Sequence, residues 1–282
     1  MAMDRPKPSQ AGEAWASGDA AGGWLRGAAA RGRALGPVTE LMLELAGVTV
    51  GSRVLDLGAG TGDQTLLAAQ RVGPGGAVLA TDISAAMLDL ARQAARAAGL
   101  RNVRTRVMDA QHLELASGSF DAAIARCSLQ FVPDVQRALA EVRRVLKPGG
   151  RLAAVVFSAV GKNPYRAAPQ AIASRLAGRQ FPEPGPGQWA LNDPAALVEA
   201  YQRAGFREVD VRPVPFVYRF PSLADALRNL AEAQPLLVKL LDELSEADRA
   251  AAWAEIERTL QPFVGRDGFA APSEVLLAAG TA

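Results

Sequence analysis

The 282-residue chain has one cysteine, Cys127, one histidine, His112, and almost no charge imbalance. A single cysteine excludes an internal disulfide and makes the cytoplasm the natural compartment. A single histidine leaves no His/Cys cluster with metal spacing, so no metal is expected. Lys and Arg number 31 against 29 Asp and Glu, a formal charge of +2. That is no field for nucleic acid or an anionic lipid surface, and no basic stripe with interleaved aromatics appears. No run approaches the ~18 apolar residues of a membrane span. The opening "MAMDRPKPSQ" has two prolines and no apolar core, so it does not read as a signal peptide. No repeat of solenoid period is present.

What remains is an ordinary globular composition, 49% hydrophobic and 21% charged, long enough for one large domain with a cap. Residues 1–36 read as a tail and a small-residue-rich segment that can close as a lid. Its glycines weaken any helix there. Pro37 can open a helix with Val38, Leu41, Met42 and Leu45 on one face, closed by a left-handed Gly47. Between 53 and 157 short apolar runs alternate with helical patterns: "RVLDL", "AVLAT", "VRTRV", "DAAIA" and "RLAAVVF" read as strands. Ser84 can cap the helix after the second strand. This alternation predicts an α/β, doubly wound, mostly parallel sheet. Residues 158–192, with their prolines and glycines, read as a loop-rich insertion. Asp193 and Pro194 start another helix, and "REVDVRPVPFVYRF" reads as an edge strand because of its two prolines. Residues 222–269 form a mostly helical excursion before the last strand, "SEVLLAAGT", where a substrate cap would sit. The Rossmann-like domain is then 37–221 plus 270–282.

The informative stretch is "RVLDLGAGTGDQT", residues 53–65. Gly58, Gly60 and Gly62 alternate directly behind a strand, where a ligand can press on main chain. A dinucleotide turn reads G-x-G-x-x-G and seats pyrophosphate on the helix N-terminus. Here Asp63 takes the place of that pattern's last glycine, and Asp56 adds a second carboxylate. Close like charges repel by about 1–4 kcal/mol in partly screened surroundings, so a cationic, phosphate-free nucleoside fits better. Asp82 ends the next strand, 20 positions beyond Gly62, where a carboxylate accepts ribose hydroxyls. Asp109 follows the third strand, where a base edge would lie. Three successive strands finishing in Asp point to one binding rim.

The segments "VLDLGAGTGDQT", "ATDISAAML", "MDAQHLELASGSFDAAIA" and "EVRRVLKPGGRL", in this order, resemble the class I S-adenosylmethionine-dependent methyltransferases. The resemblance is strongest to the branch holding the quinone-biosynthesis enzymes. It implies a seven-stranded Rossmann-like sheet with one antiparallel strand, which "SEVLLAAGT" can supply. It implies S-adenosylmethionine as cofactor, backed by Gly58, Ala59, Gly60 and Gly62. Asp56 would hold the amino group, directly or through water. Asp82 would take the ribose hydroxyls, Ile83 and Met87 would flank adenine, and Asp109 and Ala110 would meet the adenine edge. Arg126 would place its backbone near the methionine part. Met87 equally suits a simple helix core, and Cys127 a small buried hydrophobe.

The acceptor is then a small, fairly hydrophobic molecule. Trp24, Gln130, Phe131 and Tyr165 are candidate substrate contacts, with Trp15 and Trp189 as further walls. Arg126 and Gln130 can orient a carbonyl or carboxylate. His112 lies past the adenine loop, so any general base must be a carboxylate, a tyrosine or water. Two other readings stay open: a protein that keeps this cofactor fold for a non-methylating or regulatory role, and an NAD(P)-dependent oxidoreductase.

Overall fold

The computed structural model describes residues 18–282, so the candidate wall Trp15 lies outside the described residues. Helix α1 (Gly18–Arg26) leads into α2 (Ala28–Leu45). Then come β1 (Arg53–Leu57), α3 (Asp63–Val72), β2 (Ala77–Asp82), α4 (Ala85–Ala97) and β3 (Val103–Val107). Next are β4 (Phe120–Arg126), α5 (Val135–Val145), β5 (Leu146–Phe157), α6 (Pro164–Leu176) and α7 (Pro194–Arg203). The chain finishes with β6 (Arg207–Phe220), α8 (Leu223–Ala233), α9 (Pro235–Asp242), α10 (Glu246–Leu260), β7 (Val264–Gly265) and β8 (Gly268–Thr281).

The central strands are apolar on both faces because both faces are covered. Val54, Ala122, Ile124, Ala153 and Val155 join one core with Met42 and Leu43 of α2. Their neighbours Leu55, Leu57, Ala123, Ala125, Leu152 and Ala154 join the other, with Leu139 and Val142 of α5. That alternation is the two-residue period of a pleated strand read twice. Helix starts follow local chemistry. Ser84 accepts from the Met87 N–H, and Asp193 accepts from the Ala195 N–H before Pro194.

The sheet order is β3-β2-β1-β4-β5-β8-β6, with β7 paired only to β8. Pairings β3–β2–β1–β4–β5 are parallel, and β8 runs antiparallel to both β5 and β6. The doubly wound sheet with its inserted antiparallel strand is as expected; the two-residue β7 hairpin brings the count from seven strands to eight. The order reverses between β1 and β4, so a crevice opens at their carboxyl ends.

Three expectations about elements need correction. Pro37 does not open its helix but sits inside the 18-residue α2. The missing Pro N–H costs about 3 kcal/mol in a helix interior. Burial of Ala34, Leu35, Val38, Met42 and Leu43 outweighs it. Residues 158–192 are loop-rich as expected but also hold a helix that reading lacked: the 13-residue α6 begins at Pro164 in its first turn and carries Pro169 within a largely buried face. Finally, β8 begins at Gly268, five residues before "SEVLLAAGT", because the β7 hairpin extends its pairing with β6 as far as Phe220. Two expectations hold. β6 is an edge strand, which accommodates Pro213 and Pro215, and α8, α9 and α10 form the helical excursion between β6 and β8. These helices pack on α6 and α1, at one end of the sheet.

Candidate functional site

The turn after β1 carries Gly58, Gly60 and Gly62 at φ +63°, +56° and +91°, backbone that residues with a Cβ adopt at a cost. Their surroundings differ. A Cβ on Gly58 would stand 2.3 Å from Ser128 Cβ, where the loop after β4 crosses the turn. A Cβ on Gly60 would point at Trp24 Nε1, 3.3 Å away. A Cβ on Gly62 would press on Ala91 of α4 at 3.0 Å. Gly58, Ala59 and Gly60 line a cavity of about 840 Å³, and Gly62 does not. The expectation that all three glycines face a ligand is corrected at Gly62, whose absent side chain lets α4 pack on the turn.

One end of this cavity is acidic. The Asp82 carboxylate accepts from the Gly60 N–H at 3.0 Å and the Ser84 N–H at 2.9 Å. Burial pushes its pKa up, and backbone N–H groups of Ser84, Gly60 and Ile83 oppose the rise. Two fixed donors orient the carboxylate and leave it lone pairs for hydroxyls. Asp109 accepts from the Gln111 N–H at 2.9 Å and from Gln111 Nε2 at 3.0 Å. Ile83, Met87 and Ala110 complete this end.

Asp56 is not part of it. Its carboxylate is fully buried behind the turn and accepts from Thr65 Oγ1 at 2.5 Å and Gln64 Nε2 at 3.1 Å. Burial raises its pKa to about 6, against the pull of those two hydrogen bonds. The expected contact with a ligand amino group gives way to a carboxylate that ties β1 to the first turn of α3. Asp63 is corrected in the same sense. Its Oδ2 pairs with Arg31 at 3.1 Å and Arg126 at 3.2 Å, and its Oδ1 accepts from Thr61 Oγ1 at 3.1 Å. It neutralises arginines rather than awaiting a cation.

The other end of the cavity is therefore basic. Arg31, Arg126 and Arg166 line it together with Cys127, Gln130, Phe157, Gln188 and Tyr218. Arg126 Nη1 also donates to Thr39 Oγ1 at 2.8 Å. Arg31 lies over the Trp24 ring at 3.7 Å, and burial lowers its pKa to about 10 although Asp63 opposes the fall. Cys127 has φ +55°. Burial raises its thiol pKa while Arg126, Arg166 and Arg31 pull it down.

Trp24, Gln130 and Phe131, the candidate substrate contacts, line the cavity. Tyr165 does not. Its fully buried ring packs on Tyr218, with centroids 4.9 Å apart, and its hydroxyl donates to the Ala226 carbonyl at 2.9 Å. Trp189 is likewise buried, against Phe157 and Phe181. Sequence reasoning missed Arg31, Arg166 and Gln188 as lining residues. None lies in a recognisable motif, and only the folded chain brings them to the end of β4.

A doubly wound sheet with a glycine turn and two strand-end carboxylates on one crevice defines a nucleoside-binding protein of the Rossmann-like class. Residues 55–154 match the model of the family described as "Methyltransferase domain". The chain is 33% identical to nocamycin O-methyltransferase of Saccharothrix syringae over 79% of its own length and 83% of that enzyme. It belongs to the S-adenosylmethionine-dependent methyltransferases. It is also 33% identical to an arsenite methyltransferase of Halobacterium salinarum over 66% of this chain, and 44% identical to the ubiquinone/menaquinone C-methyltransferase of Bordetella parapertussis over 42%. The chain spans under half of those two relatives, 45% of each. The solved structure of the [4+2]-cyclase SpnF superposes with a TM-score of 0.57 at 26% identity, over 86% of this chain and 80% of that one. Family membership sets the dinucleotide alternative aside. Asp63, in the first turn of α3 with two arginines on it, occupies the place where pyrophosphate would sit. Among the described residues, no helix is long and apolar enough to cross a membrane.

Proposed function

We propose that this protein transfers a methyl group from S-adenosylmethionine to a small, largely apolar acceptor held in the same cavity. The observation that carries the reading is the continuity of that cavity. It runs from the Asp82–Gly60 contact to a region walled by Leu35, Leu129, Phe131 and Phe157. When bound, S-adenosylmethionine supplies a methyl carbon already activated by its sulfonium, so displacement needs position more than acid or base.

The residues present fit that group. Asp82, oriented by two N–H donors, takes the ribose hydroxyls. Ile83 and Met87 flank the adenine, with Asp109 and the Ala110 N–H at its edge. Gly58 to Gly60 would back the sugar and the methionine chain, and the backbone of Arg126 would face that chain. The chain's own part would be to hold the acceptor's nucleophilic atom toward that methyl group and to keep the cavity closed around it. A proton lost from the acceptor goes to water. Burial raises the pKa of both Tyr165 and Tyr218, the wrong direction for a base. Helix α1, whose Trp24 stands against Gly60, serves as a lid, and residues 222–269 as a helical cap.

Calorimetry tests the reading. One S-adenosylhomocysteine per chain is expected, with no heat from NAD; failure to bind S-adenosylhomocysteine overturns it. The likeness to a cyclase supports a second reading, in which the same cofactor is bound and not consumed. Incubation with methyl-labelled S-adenosylmethionine and an acceptor panel separates the two, because only transfer moves the label.

A further inference from the structure

Arg166 of α6 is a buried guanidinium, 8% exposed, with no carboxylate in ion-pair range among the described residues. Buried arginines are ordinarily paired, since an isolated buried charge is costly. Arg166 Nη2 donates to Gln188 Oε1 at 3.2 Å, Phe157 lies 5.1 Å from the guanidinium carbon, and its Nε has no partner. Arg166 lines the cavity together with Gln188 and Tyr218.

The neighbouring hydrogen bonds run in one direction. An indole N–H can only donate. Trp189 Nε1 donates to Gln170 Oε1 at 2.8 Å, which turns Gln170 Nε2 toward Gln188 Oε1 at 3.1 Å. That oxygen therefore receives both Gln170 and Arg166, and Gln188 Nε2 is left buried without an acceptor. The Tyr218 hydroxyl is buried and meets no hydrogen-bond geometry, although the Arg166 guanidinium lies beside it. Arg166, Gln188 and Tyr218 thus line one stretch of cavity, and each carries a buried polar atom short of a partner among the described residues. Buried polar groups in native structures are nearly always satisfied, so the missing partner is an acceptor atom brought by a ligand. Arg31 and Arg126 do not compete for it, because both already share Asp63 on the glycine-turn side.

We propose that Arg166, Gln188 and Tyr218 form an anion subsite that binds a carboxylate on the methyl acceptor. The assignment rests on the cofactor reading above and narrows its acceptor to an apolar organic acid: the walls beside the subsite are Phe157, Leu35 and Leu129. Arg166 acts there as a binding and orienting residue, and no proton is transferred to or from it.

The test uses the full chain saturated with S-adenosylhomocysteine and a matched pair of probes, 2-naphthoate and 2-naphthamide, titrated by calorimetry. A charge-assisted contact predicts that the acid binds about tenfold tighter than the amide or better. Arg166→Gln removes that preference, Arg166→Lys keeps part of it, and S-adenosylhomocysteine affinity stays within about twofold in both. Equal affinity of wild type for acid and amide, or no naphthoate binding up to about 10 mM, overturns the subsite. So does a tenfold loss of S-adenosylhomocysteine affinity in Arg166→Gln, which would give the arginine to the methionine carboxylate. The wild-type acid and amide comparison needs no variant to fold. If wild type fails to bind S-adenosylhomocysteine, the cofactor reading falls, and the same comparison on ligand-free protein still decides the subsite.

Discussion

The two ends of the cavity hold charge by different devices. At the acidic end neither Asp82 nor Asp109 has an ion-pair partner among the described residues; each is held by N–H donors, from backbone or from Gln111. At the basic end, among the described residues, Arg31 and Arg126 share a single carboxylate and Arg166 has none. Neutral donors orient a carboxylate without cancelling its charge, which suits a rim that accepts hydroxyls and an adenine amino group. A shared carboxylate leaves the arginine end with a surplus of positive charge, which suits an anion. The charge of either end was not visible in the whole-chain balance of +2.

The largest effect should come from the one acid at the basic end. Asp63→Ala strands two guanidinium groups whose side chains are each only 5% exposed. Removing one partner of a buried pair costs about 3–5 kcal/mol. Denaturant unfolding should read a loss in that range. Adding Arg31→Met to Asp63→Ala should recover part of it, because one uncompensated charge is then gone. A loss under about 1 kcal/mol, as for a solvated surface pair, would erase the contrast between the ends.

Why this arrangement escaped the sequence is instructive. Asp63 sits inside a recognisable glycine motif, so its position was legible, yet its partners come from α2 and β4, 32 and 63 positions away. The sheet, the caps at Ser84 and Asp193 and two of the three expected rim acids, Asp82 and Asp109, were legible because each rests on local spacing: strand alternation, a helix start, an Asp at a strand end. The basic end rests on side chains from four separate elements. Nothing local marks Arg166 as different from any other helical arginine. Pro37 and Pro169 misled in the opposite direction. Each is a strong local breaker, and each is overridden by the tertiary burial of the helix around it.

The acidic side has its own cost, and pH exposes it. The folded pKa of Asp56 is about 6 against an ordinary 3.8, raised by burial. The folded state therefore holds this proton more tightly than the unfolded chain does. The associated stability is fully present below pH 3.8 and is lost as pH rises through about 6. Two pKa units correspond to roughly 3 kcal/mol at most. Asp56→Asn should thus gain on wild type by up to that amount between about pH 4 and 6.5, measured as the difference of their urea-unfolding free energies. A difference that does not change with pH would show that Thr65 and Gln64 fully compensate the burial.

Asp82→Ala sharpens the comparison at the rim itself. Deleting the carboxylate leaves the Gly60 and Ser84 N–H groups without their acceptor and removes the partner proposed for the ribose. S-adenosylhomocysteine affinity should fall by about 1–3 kcal/mol, while naphthoate binding at the other end stays within about twofold. Wild-type cofactor affinity in this variant would mean that the nucleoside does not lie on Asp82.

The smallest effect belongs to a residue that lies behind the basic end without facing it. Tyr165 is fully buried, with its ring on Tyr218, Phe220 and Phe269, and its hydroxyl satisfied by the Ala226 carbonyl. Tyr165→Phe keeps the ring and deletes the hydroxyl that reaches the Ala226 carbonyl and Asn229 Oδ1, so stability should fall by about 1 kcal/mol. Because Tyr218, not Tyr165, lines the cavity, the acid-over-amide preference and the cofactor affinity should both be unchanged. A loss of that preference in Tyr165→Phe would move the boundary of the basic end one side chain deeper, through Tyr218 into the aromatic cluster. The subsite would then depend on how Tyr165 sets the Tyr218 ring as well as on the donors that meet the acceptor directly.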